Sequence, residues 1–204
     1  MWYNTHKGWI DSMKIISDIR LYKSSSKNEF GSFIKESLGS KKLNATIKRI
    51  VMKLRENNFS FDHLYINFTT CDIANEIELS VYIDNYHPWY RYCNIKVDVD
   101  LYNNLDSDTN SSLIINWVEK ALCLFESEDF KINRINDCIT EALEQKENML
   151  MKYKEKEANN KKAIIYLRFL DTCKYFPLLR LFDDKGTIIL EKDCTTVQSF
   201  NFIL

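Results

Sequence analysis

Between His63 and Leu101 apolar and polar residues alternate in three closely spaced runs: His63 to Thr70, Glu76 to Asp84, and Cys93 to Leu101. Alternation with period two sends successive side chains to opposite faces of a strand. The segment is therefore expected to form a three-strand antiparallel meander. Its greasy face would hold Leu64, Ile66 and Phe68, then Ile77, Leu79, Val81 and Ile83, then Ile95, Val97, Val99 and Leu101. Its wet face would hold Glu76, Glu78, Tyr82 and Asp84, then Lys96, Asp98 and Asp100. A one-residue slip would exchange the two faces, so the pattern also sets the register.

The rest of the chain has to cover the greasy face. Leu43, Ile47, Ile50, Val51 and Leu54 recur at spacings of three and four, predicting a helix from about Lys41 to Asn57 with Lys48, Arg49, Lys53 and Arg55 on a basic outer face. Ahead of it, Ile15, Ile19 and Leu21 fit an edge strand, and Trp9, Met13, Ile16 and Ile19 fit a helix equally well. Ser24 to Ser26, Gly31 and Gly39-Ser40 mark loops.

From Asn110 the period becomes helical. Ser111 or Ser112 can cap a helix burying Ile114, Trp117, Val118, Ala121, Leu122 and Phe125. A second helix is expected from about Phe130 to Glu157. Three strands follow, Ala163 to Leu170, Leu178 to Phe182 and Thr187 to Glu191, with Gly186 closing a hairpin between the last two. Phe200 to Leu204 is apolar and expected to dock.

The expected fold class is α+β, an antiparallel or mixed sheet of about six strands packed against helices in a single domain, 1–204. It divides into a helical part over 1–60, the meander over 62–101, two helices over 111–158 and three strands over 163–192. Four glycines and two prolines in 204 residues leave little room for a linker.

Chemistry-bearing motifs are lacking. His6, His63 and His87 have no partner at metal-ligand or nucleophile spacing, and Cys71, Cys93, Cys123, Cys138, Cys173 and Cys194 form no Cys-x-x-Cys pair. No phosphate loop, nucleophile elbow or zinc-protease helix is present. Neither cofactor nor metal is expected, and the chain is not expected to be an enzyme. Without a 20-residue apolar run or a leader-like start, it is expected in the cytoplasm, off the membrane. The abundance of Asn, Lys and Ile suggests an AT-rich genome, and on composition alone a bacterial source is expected.

Charge and aromatic residues give the functional reading. The net charge of −1 hides a net +7 over residues 1–56, −10 over 57–129 and +2 over 130–204. An acidic block of this size repels nucleic acid and suits a basic protein partner. Within it, Glu76, Glu78, Asp84, Asp98, Asp100, Asp106 and Asp108 fit a docking surface, a merely solvated sheet face or, less well, a cation site without the glycine and distal glutamate of a calcium loop. Tyr86-His87-Pro88-Trp89-Tyr90-Arg91-Tyr92 puts rings and a guanidinium where small turn residues are usual. Such residues either lap over a core or form a binding hot spot. The candidate partner-binding residues are Asp84, Tyr86, His87, Trp89, Tyr90, Arg91, Asp98 and Asp100.

In general character the chain resembles the immunity proteins of bacterial polymorphic and contact-dependent growth inhibition toxin systems. That resemblance implies a small inhibitor that blocks the active site of one cognate toxin, such as a nuclease with a basic cleft. Two other readings stay open: a ligand binder or enzyme with a pocket between sheet and helices, and a structural or adaptor subunit using the Phe200 to Leu204 tail.

Overall fold

Helix α1 (Leu38–Glu56) is the element around which two sheets are assembled in this computed structural model, which describes residues 15–27, 32–33, 38–59, 61–125, 131–170 and 174–195. The helix lies where its periodicity predicts, and Leu43, Ile47, Ile50, Val51 and Leu54 are buried. Its other side is covered too. Arg49 and Lys53, expected in solvent, are only 3% and 7% exposed.

The two basic residues are held differently. Arg49 donates to the carbonyl of Phe169 at 3.1 Å, and the Lys53 ammonium sits 2.8 Å from Glu56 and 2.7 Å from Glu141. Burial works against the Lys53 charge, but the two carboxylates outweigh it and hold its pKa above the usual value. Gly39-Ser40, expected in a loop, belongs to the helix.

One side of α1 faces a mixed sheet. Strand β1 (Asp18–Lys23), β2 (Ser32–Phe33), β3 (His63–Thr69), β4 (Ile77–Leu79) and β5 (Arg91–Lys96) are ordered β2-β1-β3-β5-β4. Because α1 carries the chain back, β1 and β3 pair in parallel; β3 and β5 are also parallel, joined through residues 70–90. The two edge strands pair antiparallel, β2 with β1 and β4 with β5.

This corrects the antiparallel meander. The alternation of 63–101 was real, but β5 inserts between β3 and β4, so adjacency in sequence is not adjacency in the sheet. The third strand also stops at Lys96. Asp98 caps helix α2 (Val99–Asn103) by accepting from the Leu101 N–H at 2.7 Å, which turns the expected strand residues Val99 and Leu101 into a helix. The ambiguity before α1 resolves toward a strand, although β1 is internal rather than an edge. The expected helical character of 1–60 is thus confined to α1 among the described residues. Trp9, Met13 and Gly31 lie outside them.

Helix α3 (Ser111–Cys123) buries Ile114, Trp117, Val118, Ala121 and Leu122 as its periodicity predicts, with Asn110 rather than a serine at the N-cap. Helix α4 (Ile132–Gln145) buries Ile135, Cys138, Ile139 and Ala142. It ends twelve residues before the predicted boundary at Glu157. Lys146 takes a positive φ of 50°, and the chain re-emerges as β6 (Met151–Ala158).

The expected helical end is therefore a hairpin arm. Asn159 and Asn160, at φ 51° and 57°, make the two-residue turn into β7 (Lys161–Leu170), as a turn with two left-handed residues requires. Strands β8 (Lys174–Phe182) and β9 (Ile188–Asp193) complete an antiparallel sheet of order β6-β7-β8-β9, with Gly186 at φ 79° in the last turn.

The fold is thus α+β, with its strands divided between two sheets. A single hydrophobic cluster joins them: Leu64, Ile66 and Phe68 of the mixed sheet, the inner residues of α1, α3 and α4, and Met151, Leu167 and Phe169 of the antiparallel sheet.

Candidate functional site

The mixed sheet turns its second face away from that cluster. Register places Asp18 beside His63, then Arg20 beside Tyr65 and Tyr92, then Tyr22 beside Asn67 and Asn94. Parallel pairing thus brings aromatic residues from three strands into adjacent rows.

Their rings stack across the strands. Tyr22 and Tyr65 lie 5.7 Å apart at 17°, and Tyr65 and Tyr92 lie 4.9 Å apart at 20°. The Arg20 guanidinium stands 5.5 Å from the Tyr65 ring centre and donates to its hydroxyl at 3.0 Å. Tyr90 extends the array, 5.4 Å from Tyr65 and 4.5 Å from His63, and His87 stacks on Tyr90 at 4.6 Å and 5°. Tyr82 meets Tyr92 edge-on at 4.8 Å. Burial raises the Tyr65, Tyr90 and Tyr92 hydroxyls above the usual phenol range, so they remain neutral donors.

Deeper along these strands the face becomes amide-lined. Asn67 donates to Asn94 at 3.0 Å and to the Ser26 carbonyl at 3.0 Å, tying the loop after β1 to the sheet.

At the other end Ser17, Asp62 and His63 converge. Ser17 donates to Asp62 and lies 3.3 Å from His63 Nδ1, while Asp62 lies 3.2 Å from that same nitrogen. Nucleophilic catalysis needs the hydroxyl and the orienting carboxylate on opposite imidazole nitrogens. Here both crowd Nδ1, and Nε2 faces Arg20 at 3.4 Å. The cluster therefore fastens β1 to β3. Burial, reinforced by the Arg20 charge, outweighs the attraction of Asp62 and lowers the His63 pKa, so its neutral form is favoured.

The eight predicted contact residues do not share one surface. Asp84 accepts from the Tyr86 and His87 N–H groups at 2.8 and 3.0 Å, which shapes the connection. Those bonds and His87 outweigh desolvation and hold its carboxyl below the usual range. Tyr86 is 86% exposed. His87 and Tyr90 belong to the ring array, and Trp89 packs edge-on to His87 at 5.8 Å. Arg91 folds back onto the carbonyls of Pro88 and Tyr90.

Asp98 and Asp100 lie past the opposite end of β5, about 20 Å from Arg91 at roughly 3.3 Å per residue. The expected acidic sheet face is correspondingly dispersed. Glu76 lies 3.4 Å from Lys120, Asp106 pairs with Lys23 at 3.1 Å, and Glu78 accepts from the Ala74 N–H at 3.1 Å.

Two features escaped the sequence reading. Arg20, Tyr22, His63 and Tyr65 joined the site because β1 pairs beside β3, and no local pattern reports that pairing. The apolar row of the second run was visible but misplaced. Ile77 packs against the core, whereas Leu79, Val81 and Ile83, expected on the greasy face, are 51%, 87% and 70% exposed. Beside them a cleft of about 190 Å³ opens between Leu79, Ile83, Pro88, Tyr92 and Phe125.

A larger, shallow cleft of about 730 Å³ lies between the tips of the β6-β7 and β8-β9 hairpins, against Tyr166 and Phe182. Neither cleft lies between the mixed sheet and the helices, where a ligand pocket was expected as an alternative. Phe200 to Leu204, the basis of the adaptor reading, lie outside the described residues.

Among the described residues no group of three or more His, Cys, Asp and Glu side chains could hold a metal ion. No described helix is long and apolar enough to cross a membrane. Compared with family models, curated proteins and solved structures, the chain matches none.

Proposed function

We propose that the chain is a protein-binding inhibitor of the immunity type, and that it engages one cognate toxin through residues 79–91 and the adjoining ring array. The observation that carries this reading is the exposure of Leu79, Val81, Ile83 and Tyr86, with Leu79 and Ile83 lining a cleft that Tyr90 and Tyr92 also line. Exposed aliphatic and aromatic side chains grouped beside a rigid polar face are the composition of an interface centre. Stacked tyrosines add large area that is already ordered, so little side-chain entropy is lost on binding.

The acidic block of 57–129 supports a basic partner, such as a nuclease toxin. Asp84 lies within this contact surface; Asp98 and Asp100 are placed outside it.

The test is purification of the tagged chain expressed from its own locus, followed by calorimetric titration with the protein recovered. A 1:1 complex is expected, with Kd raised at least 100-fold by Val81→Asp combined with Tyr86→Ala, a loss of the size hot-spot residues give. Unchanged affinity in that folded double variant overturns the surface, and recovery of the chain alone overturns the reading.

A further inference from the structure

Strand β4 is the last strand of the mixed sheet and bonds to β5 on one side. Lys96 N donates to Glu76 O and Ser80 N donates to Tyr92 O, both at 2.9 Å, and Glu78 lies opposite Asn94 between them. In an antiparallel pair, residues that bond to the neighbour alternate with residues whose polar groups point away. The N–H and C=O groups of Ile77 and Leu79 therefore point outward, and they have no partner among the described residues. An unpaired edge flanked by exposed apolar side chains is a template for a further strand.

We propose that this edge accepts an extended segment of the partner protein as an added strand, one whose residues alternate between apolar and basic. The proposal rests on the protein-binding reading above and specifies how that surface is used. Apolar side chains of the added strand would lie on the side of Ile77 and Leu79, with one entering the 190 Å³ cleft against Phe125. Those on the other side would meet Glu78 and Glu76, the latter shared with Lys120 at 3.4 Å, and these carboxylates favour lysine or arginine across the pair.

The same carboxylates disfavour a second copy of this chain. Antiparallel self-pairing of β4 would place the glutamates of the two copies beside one another, and like charges across a strand pair are destabilising. Added-strand binding draws its affinity from main-chain hydrogen bonds and its specificity from alternate side chains, and the two contributions can be separated.

The probe is a seven-residue peptide, acetylated and amidated, in which lysine alternates with valine or leucine, titrated into the 15N-labelled full chain. Amide shifts confined to about 76–83 and 91–95 are expected. Affinity should fall at least 10-fold when alternate peptide nitrogens are methylated, and at least 10-fold when the lysines are replaced by glutamates. Leu79→Pro removes an outward N–H while sparing the bonds to β5, and should weaken binding to the same degree.

Shifts elsewhere, indifference to N-methylation, or a dimer in sedimentation that Leu79→Pro dissolves would each overturn the proposal. The methylated peptide keeps the test valid if that variant fails to fold. With the native partner, Leu79→Pro without effect while Val81→Asp with Tyr86→Ala weakens binding removes strand addition and leaves the protein-binding reading. No effect from either removes both strand addition and the contact surface over 79–91.

Discussion

Strands β4 and β6 are edge strands of different sheets, and they treat their exposure in opposite ways. β6 reads Met-Lys-Tyr-Lys-Glu-Lys-Glu-Ala, with charged side chains along its solvent side and Lys152, Glu155 and Lys162 in ion pairs. Lysine on an edge makes a passing strand bury a charge, which is how natural sheets resist unwanted pairing. β4 and the residues after it present Leu79, Val81 and Ile83 instead.

The outer faces differ in the same sense. The antiparallel sheet pairs Arg168 with Asp193 and Arg180 with Glu191, over buried Ile164 and Leu178. The mixed sheet stacks neutral rings. The contrast holds for β6 and the charged pairs, whereas the antiparallel sheet's other edge strand, β9, leaves Ile188, Ile189 and Leu190 45%, 48% and 46% exposed.

The largest expected effect tests whether the two sides are one cooperative unit. Ile50 on α1 is fully buried in the cluster that joins the sheets. Ile50→Ala should cost about 3 kcal/mol. Urea unfolding followed by hydrogen exchange should show amides of both sheets losing protection together. Loss confined to one sheet would mean that they unfold separately.

Exchanging the edges comes next. Lys154→Val with Lys156→Val on β6 should create an associating edge, and Val81→Lys should quiet β4. Light scattering should show self-association rising about 10-fold in the first and unchanged in the second, whose binding of the alternating peptide should fall instead, with stability of each changed by about 0.5 kcal/mol or less, as for surface substitutions.

The two outer faces should also respond to different solution variables. Replacing Arg180 and Glu191 together by glutamines should cost about 0.5 kcal/mol or less at low ionic strength, and the cost should shrink as salt is added.

The ring-bearing face should respond to pH through His63. Its folded pKa lies below the ordinary 6.5 because burial disfavours the imidazolium. The unfolded chain therefore binds the proton first as pH falls. Stability should drop as pH descends through 6.5 and level off below the folded pKa. His63→Asn should flatten that part of the denaturant-midpoint profile, and an unchanged slope would show that His63 does not set it.

Much of this architecture was legible in the sequence because it rests on local periodicity. α1, α3 and α4, the first half of the helix expected over 130–157, follow from spacings of three and four, and β7, β8 and β9 follow from apolar runs bounded by Asp183 to Gly186. The failures share one cause, which is that local pattern does not report partners. Met149, Leu150 and Tyr153 fit a helical stripe, and Met151 and Tyr153 fit an alternating strand equally well. Pairing with β7 through the Asn159-Asn160 turn decided between them, and those two asparagines were the signal that could have been read. Arg49 and Lys53 looked solvated because nothing local announced a second sheet behind α1.

For the candidate site, the sequence by itself determined the residue types: the Tyr86 to Tyr92 segment, the acidic block, the alternation of 63–101, and the absence of familiar catalytic motifs. Only the tertiary structure decided which of them meet. Parallel pairing of β1, β3 and β5 brought Arg20, Tyr22, His63 and Tyr65 to the rings of Tyr90 and Tyr92, and the helical cap at Asp98 carried Asp98 and Asp100 away from them. Strand order depends on where α1 returns the chain, a long-range packing choice made by burying Ile47, Ile50 and Leu54, which no alternation within β3, β4 or β5 encodes.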